Sequence, residues 1–298
     1  MSSGASAPDI FRSERIRRRR AVNRVVELLA TAAALLAVGV LVFVIASVAK
    51  RGAGALNVDF FTKTPDFAAL PGQPTGAANA IVGTLVIVGL AVVMALPVGI
   101  LTAIYLNELA PKRVANALTL ALDVLNGIPA IVLGIFVFVL IVAGHGQAAW
   151  KASFALSILM LPLVARTTQE VLALVPDSLR EASLALGAAK WRTTLSVVLP
   201  QTVGGIVTGA TLATARIAGE TAPLLFTSSL AGNSVSYDPR EPLSSLPYFI
   251  FTSSEQADPL LHEQAWAAAL LLIGFILVVS LLARAFAARS RQRLTGQR

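Results

Sequence analysis

The chain has no cysteine, only two histidines, and charged side chains at 13% of 298 residues. Each scarcity removes a class of chemistry. Without Cys there is no disulfide framework, thiolate metal site or cysteine nucleophile. His145 and His262 stand far apart with no ligand pattern beside them, so no metal site is expected. No G-x-x-x-x-G-K-[ST] occurs, and hence no phosphate-cradling loop of the P-loop type. An intramembrane enzyme would need a paired nucleophile and base or a metal cluster, and neither is seen. The charged fraction is about half that of a soluble domain.

What is present is apolar. Hydrophobic residues make up 56% of the chain and the mean hydropathy is +0.75. Several runs exceed the roughly 20 residues that a helix needs to cross a bilayer. They do not alternate as barrel strands would. An all-α membrane protein with six transmembrane helices is expected. The basic arm 1–24, read as disordered or surface-lying, precedes a first span over 25–49. A loop follows at 50–78, then a core over 79–288 and a basic tail at 289–298. Within the core, spans are expected at about Asn79–Leu106, Ala117–Ala143 (interrupted by "NGIP"), from Trp150, at Thr202–Thr221 and at Gln264–Ala288. Pro97, Pro162 and the "NGIP" break should distort their helices. Residues 222–262 read as a long Pro-rich segment.

The net charge of +8 does not point to nucleic acid, because the basic residues gather at particular span ends. Seventeen of the 24 Lys and Arg fall on the arm, the 107–116 loop, the 176–200 segment and the tail, counting Arg284 just before the tail. The positive-inside rule puts these, with both termini, in the cytoplasm.

Segment 176–200 is polar and punctuated. Pro176 breaks a helix, Ser178 and Glu181 fit an S-x-x-E capping box, Leu179, Ala182, Ser183 and Leu186 share a face, and Gly187 suits a helix end. A second piece, Trp191–Leu199, is expected to end at Pro200. Glu181, Ala182, Gly187, Leu199 and Pro200 match the E-A-A-x3-G-x9-I-x-L-P loop of permease subunits of ATP-binding-cassette importers. Ser183 and Val197 replace the second Ala and the Ile. The resemblance implies a coupling helix that docks on a separate ATPase.

"NAIVGTLVIVG" (79–89), "NGIPAIVLGIFVF" (126–138), "ARTTQEVLALVPDSLREASLALGAAKWRT" (165–193) and "ATARIAGETAPLLFTS" (213–228) resemble the phosphate-importer permease of the PstA type. The resemblance implies a type I, MetI-like fold in a prokaryotic inner (plasma) membrane. It implies transport of inorganic phosphate without enzymatic activity and no cofactor of its own, ATP and Mg being used by the partner. The implied partners are a PstC-type permease, a PstB-type ATPase dimer and an extracytoplasmic PstS-type binding protein. It puts Arg166, Arg216 and Glu220 among the functional polar residues.

The residues themselves fit an anion. Arginine stays charged and offers a planar fork to phosphate, and charge inside an apolar span is costly and usually faces a polar path or a partner. Alternatives stay open: Arg166 as a snorkelling interfacial side chain, and Arg216–Glu220 as a structural pair. Glu220 fits two roles, neutralising Arg216 when no anion is bound or accepting a hydrogen bond from a protonated phosphate oxygen. Gly205 and Gly209 form G-x-x-x-G, which suits either packing within the chain or contact with a second permease. A permease for another oxyanion such as sulfate and an ion-gradient-driven secondary transporter are the rival functions. The internal repeats common in the latter are not evident.

Overall fold

The computed structural model describes residues 10–65, 75–229 and 234–295. The chain divides into two units, one up to Lys50 and one from Arg51 onward.

The first unit is helix α1 (Ile10–Gly52), whose last two residues belong to the second. It starts well before the apolar run, so residues 10–24 are helical rather than an irregular arm; residues 1–9 lie outside the described residues. No Gly or Pro interrupts this stretch, arginine is a good helix former, and extending an existing helix adds one hydrogen bond per residue fixed.

The second unit runs through α2 (Val58–Thr62), α3 (Ala78–Ile104), α4 (Lys112–Gly127), α5 (Ala130–Val137), α6 (Ala149–Ala173), α7 (Asp177–Ala185), α8 (Lys190–Thr193), α9 (Leu199–Ala218), α10 (Ala222–Thr227), α11 (Leu246–Ser254) and α12 (Pro259–Thr295). Single π-helical turns extend α3 (Tyr105–Leu109) and α5 (Phe138–Val142) and lead into α9 (Thr194–Val198). Among the described residues, five helices are long and apolar enough to cross a membrane. A sixth span results if α4 and the extended α5 count as one. That pair is bent by 97°, so the third expected span is not a straight rod. Pro129 stands immediately before α5, where its missing N–H and fixed φ suit a helix start and not a continuation of α4.

α3, α6 and α9 pack around one seam. Ala91 and Ala95 of α3, Ala149 and Ala152 of α6, and Ala213 and Ala218 of α9 are buried with Leu156, Met160 and Ile217. In lipid the hydrophobic effect does not drive helices together, so close van der Waals approach over small residues carries the packing. Pro97 and Pro162 lie inside α3 and α6, which both run through them.

The described residues between α9 and α12 include two further helices. α10 packs on α5 and α6, and α11 packs on α12 and α3. Ser245 caps α11 by accepting from the Tyr248 N–H at 3.3 Å. The first turn of α6 has no side-chain cap. Instead Ala149 N donates to Glu241 O (2.8 Å) and Trp150 N to Pro239 O (2.9 Å), so the loop satisfies N–H groups that a helix start leaves free. Thr84 Oγ accepts from Leu246 N at 2.7 Å, tying the same loop to α3.

Candidate functional site: two charged pairs and a surface handle

α6 and α9 run antiparallel at close range. Any Cβ on Gly205 would meet Val171, and one on Gly209 would meet Thr167. The G-x-x-x-G pair is therefore occupied by contacts inside the chain, which removes the need for a second permease at that face. The same register fixes the depth of the arginines. Arg166 stands at the level of Gly209, and Arg216 lies seven residues further along α9, a rise of roughly 10 Å.

Each arginine faces a different carboxylate. Arg166 Nε lies 3.0 Å from Asp123 Oδ1 on α4, with the side chains 41% and 47% exposed. Leu122, buried against Ala165 and Leu106, holds α4 on α6 and brings Asp123 to this position. Asp123 was not singled out by sequence; the available signal was a lone carboxylate among the apolar residues of "LALDVL". Arg216 sits in the last turn of α9, where a cation complements the carbonyl end of the helix. Its Nε is 4.0 Å from Glu220 Oε1, with exposures of 55% and 26%. Glu220 approaches Arg216 from outside the helix, because α9 ends at Ala218 and Glu220 lies beyond Gly219. Among the described residues, none gives Arg216 a hydrogen bond within 3.5 Å.

The handle is α7 and α8. The capping box does not form: α7 begins at Asp177, before Ser178, with no side-chain cap. Asp177 is instead drawn to Arg180, at 3.2 Å. Glu181 and Ala182 are exposed on α7. Gly187 has φ +80°, a region that L side chains avoid. Its N–H donates to Leu184 O (2.9 Å), and Ala188 N donates to Ser183 O (3.2 Å), the paired bonds of a Schellman end. Beyond it, Ser183 and Thr193 hydroxyls meet at 2.9 Å and join α7 to α8. Pro200 does not end the second piece. It sits at the start of α9 after the π-helical turn 194–198, and its missing N–H is tolerated near a helix start. Leu199 lies beside it in that first turn. Leu186 (90% exposed), Trp191 and Leu195 leave apolar surface uncovered on this handle.

Residues 95–292 match the family model described as the binding-protein-dependent transport system inner membrane component. Among solved structures, the MetNI methionine ABC transporter in inward-facing conformation covers 71% of this chain and 93% of its own at 19% identity, TM-score 0.54. A bacterial transporter importing the polysaccharide alginate covers 72% and 79% at 17% identity, TM-score 0.55. The fold is thus that of an ABC-importer permease, a transport component and not an enzyme. The phosphate transport system permease protein PstA of Yersinia pestis is 39% identical over 276 residues, 92% of each chain. PstA 1 of Mycobacterium tuberculosis is 42% identical over 231 residues, covering 76% of this chain and 75% of that protein. The chain belongs to the PstA family of inner-membrane transport permeases.

Proposed function

We propose that this protein is the transmembrane permease subunit of an ATP-driven inorganic phosphate importer. The path runs past Arg216 and Arg166, and the 176–200 segment couples it to a separate ATPase. The observation that carries the reading is Arg216: a permanently charged fork, more than half exposed, with its carboxylate neighbour at 4.0 Å. Free planar donors suit a tetrahedral oxyanion, and the PstA relatives are phosphate transport permeases by name. Arg166 is a second station about 10 Å away along the α6–α9 seam, with Asp123 as its counterion when no anion is present. The basic arm, the 107–116 loop, α7–α8 and the tail face the cytoplasm. A PstC-type permease completes the path, a PstB-type ATPase dimer docks on the 176–200 segment through Glu181, Ala182, Gly187, Leu199 and Pro200, and a PstS-type protein delivers phosphate outside.

Radiolabelled phosphate uptake with sulfate as competitor tests the substrate. Sulfate competing as well as unlabelled phosphate would move the reading to a general oxyanion permease. Orientation is tested separately in this Cys-free chain: a Cys at Ser234 should label from outside and one at Ser183 should not. The reverse pattern would overturn the coupling role.

A further inference from the structure

Arg180 is the most completely bonded side chain in the handle. Its Nε donates to Glu108 Oε2 (3.2 Å) and its Nη2 to Glu108 Oε1 (2.8 Å). Nη2 also donates to Leu172 O (2.9 Å), while Nη1 donates to Val175 O (2.6 Å) and Asp177 Oδ1 (3.2 Å). These five bonds match the five donors of a guanidinium. The Arg180 side chain is 17% exposed and Glu108 only 9%. Asn107 Nδ2 donates to the same Glu108 Oε1 at 2.8 Å, turning the carboxylate toward Arg180. The guanidinium pKa is pushed further up by its hydrogen bonds to Glu108, against the opposing effect of burial.

The arrangement joins three elements. Glu108 belongs to the π-helical turn that ends α3. Leu172 O lies in the last turn of α6, where it also accepts from Val175 N at 3.3 Å, and Val175 O lies in the turn that follows the helix. Arg180 belongs to α7, whose outer face is exposed. Among the described residues, α7 shares no core cluster with α3 or α6, so the polar contact is its principal tie to them. From this geometry we infer that Arg180 and Glu108 form a fixed strut. It makes α7 and the adjoining ends of α3 and α6 move as one body, so that displacement of the handle reaches the spans. This rests on the proposed coupling role of 176–200. Both are positioning residues, since neither lies on the proposed anion path.

The test uses the full complex with its ATPase and binding protein in proteoliposomes. The readouts are ATP hydrolysis, its stimulation by loaded binding protein, and anion taken up per ATP. Breaking a largely buried pair is strongly destabilising to the geometry it holds, so Arg180→Ala should lower uptake per ATP by about tenfold or more while the complex still assembles and hydrolyses ATP. The double variant Glu108→Cys/Arg180→Cys should be equally uncoupled. Bridging its two thiols with a bifunctional reagent of side-chain length should restore binding-protein stimulation. A merely structural pair would not give that rescue in an assembled complex.

Unbridged variants that couple like wild type would overturn the strut. So would a bridged complex that stays uncoupled, since that would mean the contact must open during turnover. Phosphate uptake by the unmodified complex checks the substrate separately, because binding-protein stimulation can be followed whichever oxyanion is carried.

Discussion

Arg180 and Arg216 are both arginines at helix ends with a glutamate nearby, yet they are opposites. Arg180 spends all five donors on Glu108, Asp177 and two carbonyls. Arg216 stands 4.0 Å from one carboxylate oxygen and is 55% exposed. A guanidinium with every donor used fixes the elements around it and has nothing to offer a passing anion. One with donors to spare keeps its charge available, and it tolerates a loose counterion because the surroundings are not dry enough to force a tight pair. The difference teaches that an arginine is read by its unmet hydrogen bonds, since charge and a nearby glutamate alone do not separate the two cases.

The sharpest way to break the comparison is at Arg216. Arg216→Gln should abolish phosphate uptake, and Arg216→Lys should reduce it about 10–100-fold, the worth of a lost hydrogen bond to a charged group. Uptake is measured in complexes with equal assembly. Wild-type uptake by both would make Arg216 a structural cation like Arg180.

Next in size is the α6–α9 seam that sets the depth of both arginines. Gly209→Val drives a side chain into Thr167 and should cost about 1–3 kcal/mol, seen as a lowered unfolding midpoint in detergent. Unchanged stability would mean that α6 and α9 lie further apart than this register requires. A Cβ at Gly187 meets no atom within 4 Å, but Gly187→Leu must hold φ +80°. It should cost about 1–2 kcal/mol locally and weaken assembly with the ATPase while leaving the fold intact. Normal assembly and normal transport-linked hydrolysis would reduce the handle to a connector.

The smallest effect is expected at the carboxylates. Asp123→Asn removes a half-exposed partner worth about 0–1 kcal/mol, so uptake should change no more than severalfold, with tighter anion retention at Arg166. Glu220→Gln separates its two roles. Slow release of phosphate would mark a neutralising role, and weaker discrimination against sulfate would mark recognition of a protonated oxygen.

Much of the candidate site was legible as residue types and little of it as partnerships. Arg166, Arg216 and Glu220 stand out because charge in an apolar run is conspicuous. Asp123 and Glu108 did not, because each partner lies dozens of residues away and nothing local marks the pairing. The handle reads from "ALG" since a helix that ends on Gly is a local event. Its start was misplaced because a capping box is also local, and here the ties of Arg180 to distant Glu108 and to the Leu172 and Val175 carbonyls outweigh it. Helix α11 had its own signal, Ser245 ahead of Pro247 with apolar residues following, which the surrounding Pro-rich composition obscured.

Hydropathy and glycine punctuation, each a property of neighbouring residues, were enough to specify an all-helical polytopic chain and the turn at Gly187. The NGIP break announced a distortion, but the tertiary structure alone decided its size of 97°, the use of Gly205 and Gly209 inside the chain, and which arginine is spent on tight hydrogen bonds and which keeps only a loose counterion. Those outcomes depend on which helix faces come into contact, and the energy of such a contact belongs to two distant segments at once.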